Sequence, residues 1–209
     1  AVHEVHPDLP IFPSIQLESL AGFFSGACST TAESCVDDGL AQIADLRRDS
    51  FAVSVYPFLA ELATGSPWSP DDLPRIFDRV DEPIVIAETG TLATPLDFMG
   101  TDGTCAELVS NASEEEAARW LQHVVDLADA YDMELATWWS GYDVLPVQVM
   151  TSCPCEDGGA GFCDILDFFV QLGNAQAPLT YRTFGTMGIY TYEGTPRTSM
   201  VAILDAARD

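Results

Sequence analysis

Lysine is absent from the chain, and eight arginines are its only fixed cations against 33 acidic residues. The resulting net charge of −25 repels nucleic acid and anionic membranes, so neither is expected as a partner. Such a surface stays soluble at high salt, where screening relieves self-repulsion; it fits a saline-living source and an ordinary acidic secreted protein alike. No apolar run approaches the roughly 18 residues that read as a membrane span. The three histidines, His3, His6 and His123, show no spacing for a metal or a catalytic triad, and no cofactor is implied. Neither a residue-level repeat nor a flexible linker divides the chain. Its 209 residues, 47% of them apolar, are expected to form a single domain, 1–209, with a substantial core.

Six cysteines without redox or zinc-finger spacing suggest disulfides and an oxidising, extracellular compartment. Cys28 and Cys35 are close enough in sequence to close one small loop. Cys105, Cys153, Cys155 and Cys163 would supply two more bridges whose pairing the sequence leaves open, and Cys153-Pro154-Cys155 with Cys163 is also conceivable as a zinc site. Asn111-Ala112-Ser113 fits a glycosylation acceptor.

The most informative stretch is Pro83 to Gly90, a continuous apolar run introduced by a proline and ended by an acid, a hydroxyl and a glycine. This is the pattern of a parallel strand buried on both faces, with Glu88 at its C-terminal end. In parallel α/β sheets that edge is where ligands bind. A loop acid that caps a helix or pairs with an arginine would look the same. Three further strands are expected at Ile11 to Leu17, Phe51 to Pro57 and Met133 to Trp139. Helical spacing marks Val36 to Arg48 and the segment opened by Ser69-Pro70 that runs through Ile76, Phe77 and Val80. It also marks the residues behind Ser113-Glu114-Glu115-Glu116, where Ser113 caps and Glu116 reaches back. Short helices are expected at Ile165 to Leu172 and from Arg197 to Arg208, with loops at 18–35 and 90–112. Strands separated by helices, each ending in polar or aromatic residues, amount to repeated βα architecture.

Taken in order, these strand ends resemble the last four strands of a clan A glycoside hydrolase, an eight-stranded βα barrel of the group that includes cellulases, mannanases and β-1,4-galactanases. Ser54-Val55-Tyr56-Pro57-Phe58 is similar to the sixth strand, Pro83 to Gly90 to the seventh and Trp138-Trp139-Ser140 to the eighth. Met187 to Pro196 is similar to the segment before the closing helix, and Asp8 to Leu17 would be the fifth strand. The resemblance implies an α/β fold of the (β/α)8 TIM-barrel type, of which this chain supplies roughly the last four βα units as a half-barrel. It implies a retaining hydrolase of β-linked oligo- or polysaccharide with Glu88 as nucleophile.

Retaining chemistry needs two carboxyl groups about 5 to 5.5 Å apart. In the family the acid/base is a second glutamate, usually preceded by asparagine, at the end of the fourth strand. No Asn-Glu pair occurs in this chain, where Glu4 and Asp8 are the early acids considered for the role. Ala1 to His6 resembles the tail of a helix that began earlier, so the acid/base is expected upstream of a chain truncated at its N-terminus.

Tyr56 is expected to donate its hydroxyl to Glu88, and the alternative is an aromatic that fills the barrel mouth. Trp139 and Trp138 offer flat faces for a pyranose, but strand alternation sends them to opposite sides. The resemblance favours Trp139 as the subsite floor, with a cis bond to Ser140; both could instead be core residues. Gln16 and Asp143, also at strand ends, could hydrogen-bond sugar hydroxyls, the alternative being plain surface residues. A missing N-terminal half-barrel or a second copy of the chain would complete the barrel. The alternative function is a non-catalytic carbohydrate-binding or scaffold protein on the same fold.

Overall fold

The computed structural model describes Val5, Leu9–Phe24, Gly26 and residues 33–99, 105–109, 111–151, 163–164 and 182–208. Expectations for His3, Glu4, His6, Asp8, Cys28, Cys153, Cys155 and the Ile165 to Leu172 helix lie outside these residues. The chain folds as two compact units, Ala1–Thr89 with Val124–Thr137 and Gly90–His123 with Trp138–Asp209.

Four strands form one sheet in the order β1 (Ser14–Gln16), β2 (Phe51–Val55), β3 (Ile84–Thr89) and β6 (Ala136–Trp138). β1 pairs with β2 and β2 with β3, both parallel. Adjacent parallel strands joined through helices make this a mixed α/β fold. Phe51, Ala52, Val53, Val55 and Ile86 are fully buried, so the two middle strands are covered on both faces, whereas β1 and β6 carry exposed residues.

The expected strands are longer than those formed, and the differences have local causes. Ile11 to Leu17 shortens to β1 because Leu17 already begins a helical turn, α1 (Leu17–Leu20). α2 spans Glu33–Gln42, starting before the expected Val36 and ending before Arg48. Pro57 does end β2, and it also opens a helix that strand reasoning missed: it occupies the first turn of α3 (Pro57–Thr64), where its missing N–H costs nothing. Gly65, at φ +80°, stops that helix in the left-handed conformation that glycine adopts without penalty. α4 (Asp72–Phe77) buries Leu73, Ile76 and Phe77.

The segment from Gly90 to Ala112, expected as a loop, contains an antiparallel pair, β4 (Leu96–Met99) and β5 (Cys105–Val109). α5 (Glu114–Ala130) starts as expected, with the Ser113 hydroxyl accepting from the Glu116 N–H at 3.1 Å. Glu116 itself turns to Arg119 one helical turn on rather than back to the cap. His123 lies within α5, its ring 5.3 Å from that of Trp120. α6 (Val147–Thr151) was not foreseen, and α7 (Thr198–Ala206) closes the chain. In the second unit Ala93, Ala117, Ala118, Leu121, Ile189 and Met200 form an apolar cluster against which Trp138 and Tyr190 pack. No helix among the described residues is long and apolar enough to cross a membrane.

Candidate active site

One irregularity in the ladder decides where Glu88 points. Val53 pairs with Ile86, but the next residue of β2, Ser54, pairs with Glu88, so Ala87 is an extra residue in β3. Side chains alternate along a strand, so unbroken register would have placed Ala87 opposite Ser54 and turned Glu88 to the face shared by Val53 and Ile86. The bulge turns Glu88 to the face of Ser54 and, through the β1 register, of Gln16. A carboxylate that would have entered an apolar layer thus stands on the polar face, at the C-terminal edge of the sheet.

Hydroxyl groups lead across that face. The Ser14 and Ser54 hydroxyls are 2.6 Å apart, and Ser54 Oγ lies 3.5 Å from Glu88 Oε2. Tyr56, one residue past β2, is buried and interacts with Glu88. Burial first, then the nearby charge of Glu88, push the phenol's pKa well above its ordinary value. The shift favours the protonated phenol, which is the form able to donate.

Beneath them lies a residue that sequence reasoning passed over. Glu18 in α1 is 0% exposed. Its Oε1 accepts from the Tyr56 backbone N–H and from Trp68 Nε1–H, both at 2.8 Å, and its Oε2 accepts from the Gln16 amide. Glu18 thereby ties the end of β1 to the end of β2 and orients both Gln16 and Tyr56. Only its neighbours distinguish it: an acid two residues past a short strand, among Leu17 and Leu20, has no sequence signature. Burial pushes its carboxyl pKa up, and its hydrogen bonds oppose this only in part.

A raised folded-state pKa means that the folded chain holds the proton more firmly than the unfolded one. The resulting stability is fully present below the unfolded carboxylate's pKa and is lost as pH rises through the higher folded value. A Glu18→Gln chain lacks this component. Urea midpoints of wild type and variant, measured from pH 4 to pH 8, are expected to move relative to one another, the wild type losing ground as pH rises. Parallel curves would contradict the assignment.

The remaining expected site residues lie in the second unit. The Trp139–Ser140 peptide is cis, as the resemblance implies, and Trp139 is 42% exposed. Trp138 is instead committed inward: its Nε1 donates to Met187 O at 2.7 Å, and its ring packs on the apolar cluster. Gly90 permits the backbone arrangement here, because a Cβ would stand 2.5 Å from the Trp139 carbonyl oxygen. Asp143, expected on the surface among sugar hydroxyls, is a buried staple. Its oxygens accept from Arg197 Nη1 and Nη2 at 2.9 and 2.8 Å, and from the Gly188 N–H at 2.8 Å. Cys35 and Cys163 are each disulfide-bonded.

No family model matches the chain, and no curated protein is significantly similar to it. Among solved structures it is similar to the β-glucuronidase of Ruminococcus gnavus in complex with uronic deoxynojirimycin, at 15% identity over 77% of this chain and 23% of that one, TM-score 0.39. It is also similar to the β-D-glucuronidase of Dictyoglomus thermophilum, at 13% identity over 78% and 23% of the two chains, TM-score 0.40. The chain thus spans less than a quarter of the length of these proteins.

Proposed function

We propose that the chain is part of a retaining glycoside hydrolase acting on β-linked oligo- or polysaccharide, with Glu88 as nucleophile. The observation that carries this reading is the Ala87 bulge, which turns a carboxylate onto the polar face of a parallel sheet at its C-terminal edge, against the phenol of Tyr56. Its four main-sheet strands are read as the last four of an eight-stranded barrel, their order β1, β2, β3, β6 being that of the resemblance. Secretion into an oxidising compartment belongs to the same proposal.

The reaction assigns one role to each residue. A Glu88 oxygen attacks the anomeric carbon while the glycosidic C–O bond breaks and an acid protonates the departing oxygen. Water then attacks the glycosyl ester, giving its proton to that acid's conjugate base and releasing Glu88. Tyr56 donates to Glu88 and holds the attacking oxygen in place. Gln16, its amide nitrogen engaged by Glu18, presents its carbonyl oxygen to a sugar hydroxyl. Trp139, in the second unit, offers a flat exposed face suited to a pyranose. Trp138 and Asp143 serve the fold. Glu18 is too deeply enclosed to protonate a leaving group, and we assign that step to a glutamate of a preceding βα unit.

The test is covalent trapping. The full protein is incubated with the 2-deoxy-2-fluoro β-fluorides of glucose, galactose and mannose, digested and analysed by mass spectrometry. A glycosyl adduct is expected on the peptide that contains Glu88. An adduct on another residue, or none from any of the three probes, would overturn the assignment. The non-catalytic alternative predicts sugar binding without an adduct.

A further inference from the structure

Tyr142 is 59% exposed, although the backbone around it is tightly held. Its ring stacks on Tyr190, with centroids 5.1 Å apart and planes inclined by 25°, so one face is covered and the other is presented outward. Beneath the pair, Tyr190 N donates to Gly141 O at 3.0 Å and Asp143 N to Tyr190 O at 2.9 Å, while Tyr190 also bridges to Pro196. Tyr190 packs on the apolar cluster of this unit, and the next residue after Tyr142 is the Asp143 of the buried pair with Arg197. Gly194, whose φ of +86° suits glycine, lies beside the ring, its Cβ position 3.9 Å from Tyr142 Cε1.

A rigid scaffold that presents one aromatic face to solvent has binding as its simplest use, because little side-chain freedom remains to be lost. We infer that the Tyr142–Tyr190 pair is a stacking site for a pyranose ring of an uncharged glycan. The choice of occupant follows from charge. Nucleobases also stack on tyrosine, but their phosphates would meet a chain of net charge −25, and the nearby Arg197 is spent internally on Asp143 and Gly188. Anionic glycans and anionic membranes meet the same repulsion. A neutral pyranose offers an apolar C–H face to the ring, with hydroxyls at its rim that remain in water. The ligand class rests on the carbohydrate reading above; the site itself does not depend on Glu88.

Affinity electrophoresis and calorimetry of the full chain, with hydroxyethyl cellulose, galactomannan and β-1,4-galactan as neutral probes and polygalacturonate as the anionic one, test the inference. At least one neutral polymer is expected to bind and polygalacturonate is not. Tyr142→Ala should weaken binding about 10-fold or more, whereas Tyr142→Phe, which keeps the ring, stays within about 2-fold. Circular dichroism checks that the alanine variant is folded, as its exposure favours. Binding by Tyr142→Ala equal to wild type, or no neutral polymer bound by wild type, overturns the site. Binding that depends on Tyr142 without a trapped adduct at Glu88 supports the site while rejecting the hydrolase reading. An adduct without Tyr142-dependent binding does the reverse.

Discussion

Glu88→Gln is expected to lower hydrolysis of the responsive β-glycan by about 10⁴-fold or more, the scale on which loss of a nucleophile acts in other hydrolases. The substitution is close to isosteric. Glutamine keeps an oxygen that can accept from Ser54 and Tyr56, and Glu88 is only partly buried, so the fold and the bulge at Ala87 should survive. What disappears is the anionic oxygen that forms the ester, and an amide does not replace it at any pH. Reducing-end release is the readout, alongside a thermal melt within a few degrees of wild type. Activity retained within about 10-fold would remove Glu88 from the nucleophile's role. Placing a glutamate at position 87 of the variant would not restore activity on this reading, since Ala87 is the residue the bulge leaves without a partner on β2.

The second large effect concerns stability. Asp143→Ala is expected to cost about 3–5 kcal/mol, because it leaves the Arg197 guanidinium enclosed without its main counter-charge. Both side chains are almost fully buried, at 2% exposure for Arg197 and 0% for Asp143. Arg197 also donates to Gly188 O at 2.7 Å and has Glu114 Oε1 3.2 Å from its Nε. Its own backbone N–H bonds Ile189 O at 3.0 Å as the chain enters α7. One ion pair therefore joins the segment after β6, the strand-like piece at Gly188 to Tyr190 and the start of two helices. For a chain of this size the loss corresponds to a fall in melting temperature of roughly 6–20 °C. The double variant Asp143→Leu with Arg197→Met should melt above either single variant, since it removes both charges together. A single variant that melts within 2 °C of wild type would show that water or Glu114 replaces Asp143.

The sequence reading and the structure agree most closely at the start of α5 and at β3. Ser113 followed by three acids predicted a capped helix start, and that is what forms, because capping and the interaction of acids with the helix dipole act within a single turn. An apolar run after a proline predicted a buried strand ending at Glu88, which also follows from nearest neighbours alone. Pro57 was recognised as the end of β2 but not as the first turn of α3; the same residue suits both roles, and only the residues after it separate them.

By itself the sequence determined the charge and hence the partners to discount, the positions of the buried strands, and the order of the strand ends that suggested a glycosidase. It could not determine on which face Glu88 lies, because alternation from Ile84 to Glu88 predicts the apolar side and only pairing with Ser54 reveals the extra residue at Ala87. Nor could it separate the fates of the acids. Glu18, Glu88 and Asp143 are alike as residues, yet one is enclosed by Tyr56, Trp68 and Gln16, one faces a phenol on an open sheet edge, and one is held by Arg197 from 54 positions away. The charge of a carboxylate is local, but the groups that satisfy it are brought together by the fold.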